Sequence, residues 1–298
     1  MRLSSYAKVN LGLKVVGRRD DGFHNIASLF HEVDLCDTLE LTNDDGIRVE
    51  CDDPTVPDGT ENLVYRAAEA LRSEAGQEAE FGCYIKIEKR IPSGGGLGGG
   101  SGNAAAALVG LSELWGLDFG IPKLRQIAET IGSDVPFAIE GGAAVVTGRG
   151  EVLDAVSSTG EVWLVLVSPG FQVSTPWAFQ NLNIELTPEG PYIRFLNSVR
   201  ASGEVDLLDL ISRVENDFLS LVSARFPSVQ RILSVLRGEG ALAASMSGTG
   251  ATLYGGFSQA ERANAAVTRL QGEGYDVHLC KPVRRLGPSG LKTGCRVV

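Results

Sequence analysis

The first residues alternate without interruption. Ala7, Val9, Leu11, Leu13 and Val15 fall on one side of a period-two pattern, with Tyr6, Lys8, Asn10, Gly12 and Lys14 on the other. That pattern predicts a β-strand with one face in a core. A strand lysine ordinarily meets solvent or blunts a sheet edge, whereas asparagine inside a strand runs against propensity and marks a polar face in use. After a turn at Arg18-Arg19-Asp20-Asp21-Gly22, strands are predicted near Ile26 to Val33, Thr38 to Thr42 and Ile47 to Cys51. A helix follows over Asn62 to Ala75, with Leu63, Ala67, Ala68 and Leu71 on one face and Gly76 as its stop.

Cys83 to Lys89 alternates again and leads into six glycines within seven residues, Gly94-Gly95-Gly96-Leu97-Gly98-Gly99-Gly100. Ser101 and an alanine-rich helix reaching about Trp115 come next. Glycine loses more backbone entropy on folding than any other residue, so such a run needs a compensating use. At a helix N-terminus that use is contact between backbone N–H groups and phosphate. The run is not a Walker loop, because no Lys-Ser or Lys-Thr follows it. Gly94, Gly96 and Gly99 spell a dinucleotide fingerprint, with Glu113 and Asp118 beyond it. The alternating strand before it, however, belongs to a half-exposed sheet and an α+β fold rather than to a buried parallel sheet. A flexible linker is the bland alternative, but linkers mix serine with glycine and do not run into a helix.

Further on, a helix over Pro122 to Ile131 has a proline opening and closes at Gly132, and Ser133-Asp134-Val135-Pro136 starts a new element. A strand at Ala143 to Thr147 and a turn at Gly148-Arg149-Gly150-Glu151 carry the chain out of a first lobe, which divides the protein into residues 1–154 and 155–298. The second part is predicted to hold a strand at Val162 to Val167 and helices at Asp206 to Ala224, Ser228 to Leu236 and Gln259 to Gln271. Between the last two lies a second turn of glycines and hydroxyls, Ser245 to Thr252, flanked by strands. There is no internal repeat.

With 298 residues, 43% of them hydrophobic and 21% charged, the chain has the composition of a globular protein with two lobes. A formal net charge of -10 argues against nucleic acid and against anionic membrane surfaces as partners. An anionic small molecule must then be met by local positive charge or by backbone amides. No stretch approaches 18 apolar residues and the start lacks a secretory pattern, so a cytoplasmic protein is expected. Five cysteines without C-x-x-C spacing read as reduced thiols, and the three histidines form no zinc pattern.

Ala7-Lys8-Val9-Asn10-Leu11, Pro92-Ser93 with the glycine loop, and Ser247-Gly248-Thr249-Gly250 occur in the order found in the GHMP kinase superfamily, which this chain resembles from its first strand to about residue 285. Gly22-Phe23-His24, Gly132-Ser133-Asp134-Val135-Pro136-Phe137 and Asn216-Asp217-Phe218 are similar to the branch acting on a cytidine-diphosphate-linked methylerythritol. The resemblance implies an α+β, two-lobed fold, the N-terminal lobe like the second domain of ribosomal protein S5 and the C-terminal lobe ferredoxin-like. It implies transfer of phosphate from ATP to a tertiary hydroxyl of that polyol, in the non-mevalonate route to isoprenoid precursors.

By the same resemblance, Asp134 is the general base and Lys8 the lysine that pairs with it and stabilises the developing alkoxide. Position alone also allows Asp134 to be an N-cap. Asn10 would orient the acceptor hydroxyl. Asn62, Leu63, Lys89, Pro92, Gly94, Gly95, Gly96, Leu97, Gly98, Gly99, Gly100 and Ser101 would hold ATP. Ser101 is either an N-cap or a contact to Mg²⁺, which no acidic residue announces itself to bind. Phe23 and Phe179 would sandwich the cytosine and His24 would bond its edge, core packing being the alternative for each phenylalanine. Thr175, Gly248 and Thr249 would make further substrate contacts.

Three positions depart from the pattern: Phe23 stands for a usual tyrosine, Gly102 for a serine and Asn103 for an aspartate. The tail from Leu286, with Gly287-Pro288-Ser289-Gly290, matches nothing in the pattern. A homoserine or mevalonate type of GHMP kinase would share the loop but has no use for Phe23, His24 and Phe179. A ligand sensor on the same fold would need neither Lys8 nor Asp134.

Overall fold

The alternating first segment forms β1, Arg2–Arg18, which pairs antiparallel with β2, His24–Asn43. The two strands expected near residues 26–33 and 38–42 are therefore one. Asp34 and Leu35 between them are taken up by a bulge, where the register steps from Tyr6 opposite Cys36 to Ala7 opposite Val33. The computed structural model describes residues 1–76, 81–183, 189–284 and 295–297. The tail segment Leu286 to Gly290 lies outside them.

After β2 come β3 (Ile47–Cys51), α1 (Leu63–Glu74), β4 (Cys83–Glu88), α2 (Gly99–Leu114), α3 (Ile121–Ile131), α4 (Val135–Glu140), β5 (Ala143–Thr147) and β6 (Val152–Thr159). The long β2 serves two partners, bonding β5 along Ser28 to His31 and β4 along Thr38 to Asn43. β3 lies parallel to β4. Leu3, Leu39, Leu41, Ile85 and Ile87 from this sheet share a core with the apolar sides of the four helices. The strand before the glycine loop is half-exposed, as its alternation predicts.

The second part contributes β7 (Trp163–Ser168), α5 (Thr175–Asn181), α6 (Pro191–Ser202), β8 (Glu204–Asp206), α7 (Leu207–Ser212), α8 (Leu219–Arg225), α9 (Pro227–Gly238), β9 (Ala243–Met246), β10 (Leu253–Phe257), α10 (Ala260–Gly272) and β11 (Asp276–Cys280). A last strand, β12 (Cys295–Val297), returns to β1. β7, β9, β10 and β11 form an antiparallel sheet in the order β11-β7-β10-β9. β8 instead adds to the first sheet, parallel to β6, so the expected division after residue 154 falls inside a strand that both parts use. Ala7, Val9, Leu11 and Leu29 pack with Leu164, Tyr192, Leu210 and Tyr254, a core common to both lobes.

The helix expected over residues 206–224 is broken. Leu13 N–H donates to Glu215 O at 2.7 Å, Asp217 N–H donates to Leu13 O at 3.0 Å, and the Asp217 carboxylate accepts Val15 N–H at 2.8 Å. These bonds to β1 take backbone groups that a continuous helix would have used itself, and Asn216 caps the restart by accepting Phe218 N–H. Among the described residues no helix is long and apolar enough to cross a membrane, and Cys36, Cys51, Cys83 and Cys280 are free.

His31 on β2 is fully buried. Its Nδ1–H donates to Glu32 O at 2.8 Å, because a carbonyl only accepts, leaving Nε2 to accept from Ser158 Oγ at 2.9 Å. Burial, reinforced by Arg284, pushes the imidazole from its ordinary 6.5 down to about 4. Between those values the unfolded chain binds the extra proton and the folded one does not, so folding stability falls as pH is lowered from 6.5 to 4. The full loss is about 3 kcal/mol. Urea denaturation at pH 7 and pH 4.5 should show that loss growing toward acid, and His31→Gln should flatten the dependence; an equal slope in the variant assigns it to other groups.

Candidate active site

The approach to the glycine loop is set by Asp37 on β2. Its carboxylate is 0% exposed, accepts Arg90 N–H at 2.7 Å and Ile91 N–H at 2.8 Å, and is ion-paired with Lys89. The loop then passes between β1 and the turn after β9. A Cβ on Gly96 would lie 2.7 Å from Ser247 O, and one on Gly98 would lie 2.9 Å from Lys8 Cγ. Both residues have positive φ, 77° and 69°, so backbone conformation and close approach together exclude a side chain.

Gly98 is the N-cap of α2, and the helical bonds begin with Gly102 N–H to Gly98 O at 2.8 Å. The amides of Gly99, Gly100 and Ser101 precede that bond and have no helical carbonyl to meet. With the helix dipole they form an anion site at the floor of a cleft of about 430 Å³. Every residue expected to hold ATP lines this cleft. Ser101 is inside the first turn of α2, so the N-cap alternative for it is removed. Asn62 caps α1, accepting Val64 N–H at 2.9 Å, and Leu97 places its side chain in the shared core while its carbonyl accepts Lys8 N–H at 2.9 Å.

Asp134 does occupy the N-cap position of α4, yet its side chain caps no amide. The carboxylate turns to Lys8, with Oδ2 3.3 Å from Nζ. Lys8 is only 7% exposed, so it is neither a solvated nor an edge lysine. Its ammonium also donates to Asn10 Oδ1 at 2.5 Å and stands 4.4 Å from the centre of the Phe30 ring. Asn10, 3% exposed, donates from Nδ2 to Ser28 Oγ at 3.3 Å and from its backbone to Ser247 Oγ at 3.1 Å.

A second cleft, of about 670 Å³, is lined by Arg18, Phe23, His24, Ser133, Arg149, Thr175 and Phe179 among others. Ser133 brings it to the residue before Asp134. Phe23 is 55% exposed with the Arg149 guanidinium 5.0 Å over its ring, so core packing does not explain it. Phe179 stacks on His24 at 5.1 Å and meets Phe218 edge-on at 4.8 Å, so His24 covers one of its faces. Thr175 Oγ1 and Thr249 Oγ1 are bonded at 3.1 Å, and Gly248 abuts Asn10, with a Cβ there 3.4 Å from Oδ1. Among the described residues two arginines and a histidine line this cleft and no carboxylate does, in a chain of net charge -10.

Residues 62–142 match the family described as GHMP kinases N terminal domain, and residues 205–276 match GHMP kinases C terminal. A relative from Syntrophotalea carbinolica, named 4-diphosphocytidyl-2-C-methyl-D-erythritol kinase, is 41% identical over 93% of this chain and 97% of its own length. The chain belongs to the 4-diphosphocytidyl-2-C-methyl-D-erythritol kinase family. A solved structure titled 4-(cytidine 5'-diphospho)-2C-methyl-D-erythritol kinase superposes with a TM-score of 0.78 at 32% identity, covering 95% of this chain and all (100%) of that one. A homoserine kinase from Cytophaga hutchinsonii shares the fold at a TM-score of 0.73, with 18% identity over 100% of this chain and 97% of that one.

In this member of the kinase family, Asp37 and Arg149 stand at the site without being announced by the pattern of residues, and Ser247, which opens the Ser247-Gly248-Thr249-Gly250 motif, is given no role of its own by that pattern. Asp37 falls between the two strands predicted near residues 26–33 and 38–42, where an acid reads as part of a turn. Removing one partner of a buried ion pair strands the other charge. Asp37→Ala should therefore lower stability by about 3 kcal/mol and weaken ATP binding by about tenfold through the loosened loop, measured by urea denaturation and nucleotide titration. Unchanged ATP affinity in a folded variant separates this pair from the loop.

Proposed function

We propose that the protein transfers the γ-phosphoryl group of ATP to the tertiary 2-hydroxyl of 4-diphosphocytidyl-2-C-methyl-D-erythritol, the compound for which its relatives are named. One observation carries the residue roles: the Lys8–Asp134 contact of 3.3 Å stands beside the glycine loop, and Ser133, the residue before Asp134, lines the cationic, aromatic-lined cleft. Phosphoryl transfer needs alignment, charge stabilisation and a destination for the hydroxyl proton. The two clefts and the pair between them supply these in turn.

ATP lies along the first cleft with its phosphates on the amides of Gly99, Gly100 and Ser101. The cytidine diphosphate lies in the second, its base against the faces of Phe23 and Phe179, His24 bonding its edge, and its phosphates balanced by Arg18 and Arg149. Thr175, Gly248 and Thr249 border the polyol. Asp134 takes the proton from the 2-hydroxyl as that oxygen bonds the γ-phosphorus and the bond to the β-γ bridging oxygen breaks, releasing ADP. Lys8 holds the carboxylate in place and offsets negative charge at the attacking oxygen. Asn10 keeps the ammonium in position.

Among the described residues no group of three or more His, Cys, Asp or Glu is placed to hold a metal. Ser101 and Asn103 both line the phosphate cleft and carry only neutral oxygens, and Asn103 Oδ1 is buried beneath it without a partner. That donor set fits Mg²⁺, which keeps phosphates and water as its main ligands. When bound, the ion would neutralise phosphate charge.

Turnover is expected with the cytidine-bearing alcohol and not with homoserine or mevalonate, read as labelled phosphate transferred from ATP. Asp134→Asn should cut kcat by about 10²-fold or more while ATP affinity stays within about threefold, as for loss of a general base. Near-parental turnover in that variant takes the base role from Asp134, and turnover on another acceptor instead displaces the cytosine assignment.

A further inference from the structure

Ser247 is fully buried in the turn between β9 and β10, and its hydroxyl touches both halves of the site. Oγ accepts the Asn10 backbone N–H at 3.1 Å and donates to Gly96 O in the glycine loop at 3.0 Å. The Asn10 side chain, with Oδ1 3.5 Å from the same hydroxyl, receives the Lys8 ammonium. One hydroxyl thus connects the loop assigned to the donor phosphates with the strand that carries the lysine paired to Asp134. The packing around it leaves no slack, since a Cβ on Gly96 would strike Ser247 O at 2.7 Å and Gly250 O at 2.9 Å. A second tie, Thr252 N–H to Gly95 O at 3.1 Å, holds the same two segments together.

We propose that Ser247 is a positioning residue for phosphoryl transfer, setting the glycine loop in register with the Lys8–Asp134 pair. The inference rests on the roles proposed above for those two residues. Transfer is sensitive to such registration, because a displacement of about 1 Å between reacting groups costs on the order of 10²-fold in rate. A loop that still binds ATP but presents its γ-phosphorus out of line would let water compete with the acceptor, giving ADP and inorganic phosphate in place of product.

The test compares Ser247→Ala, which deletes the hydroxyl, with Ser247→Cys, which fills its space with a weak hydrogen-bond former. Both should lower kcat about tenfold or more with KM for ATP within about threefold, and both should raise the ratio of ADP formed to acceptor phosphorylated above one. Recovery of kcat by the cysteine variant assigns the effect to packing and overturns the proposal. So does a parallel loss of nucleotide affinity and thermal midpoint in both variants, or a kcat within about twofold of the parent. Asp134→Asn, run alongside, separates the two claims: an active Asp134→Asn removes the reading on which this one rests, whereas an inactive one beside a normal Ser247→Ala removes only Ser247.

Discussion

An ammonium ion withdrawn from water must find opposite charge or acceptors, and Lys8 imposes that requirement on the middle of β1. Its neighbours answer it from separate elements: Asp134 from the start of α4, Asn10 from the same strand and Phe30 from β2. Because the strand also buries Ala7, Val9 and Leu11 on its other face, Lys8 cannot swing out to solvent without tearing a core. The helices, the glycine loop and the second lobe are arranged around a charge whose position the sheet dictates. A carboxylate at a helix start that ordinarily bonds an amide is diverted to the lysine instead.

The same economy of charge governs the two clefts. A protein with ten more acidic than basic groups has to bind two polyanions at once. In the proposed arrangement one meets backbone amides, which carry no net charge and cost no side-chain ordering, and the other meets Arg18, Arg149 and His24 in a wall that has no carboxylate among the described residues. Much of the acid pairs with surface arginines, and some tethers backbone, as Asp37 does at the approach to the glycine loop and Asp217 does against β1.

What a linear pattern reveals here is what depends on neighbours along the chain. The alternation of β1, the exposed face of β4 and the glycine run at a helix start are local, and each was legible. The single long β2 was not, because its polar centre reads as a break until Asp37 is seen turned inward to the backbone of Arg90 and Ile91. The interrupted helix at residues 213–218 escaped for the same reason: its apolar stripe is helical, and only the bonds from β1 show why the backbone leaves that path. In the site, residue types with distinctive chemistry stood out, while Ser247 was visible only as a member of its glycine and hydroxyl turn, and its contacts with Asn10 and Gly96 are made across the fold.

Those contacts bear on how the chain reaches its native state. β1 is synthesised first, yet Val15 waits for Asp217, 202 residues later, and Asn10 waits for Ser247, 237 residues later. The core shared by the lobes is completed only when β11 arrives with Cys280. Non-local pairing of this kind slows folding, since the loops must close before any contact rewards them. An emerging N-terminal half would therefore expose the apolar face of its oldest strand through most of translation, and the enzyme's first strand is the last to be fully satisfied.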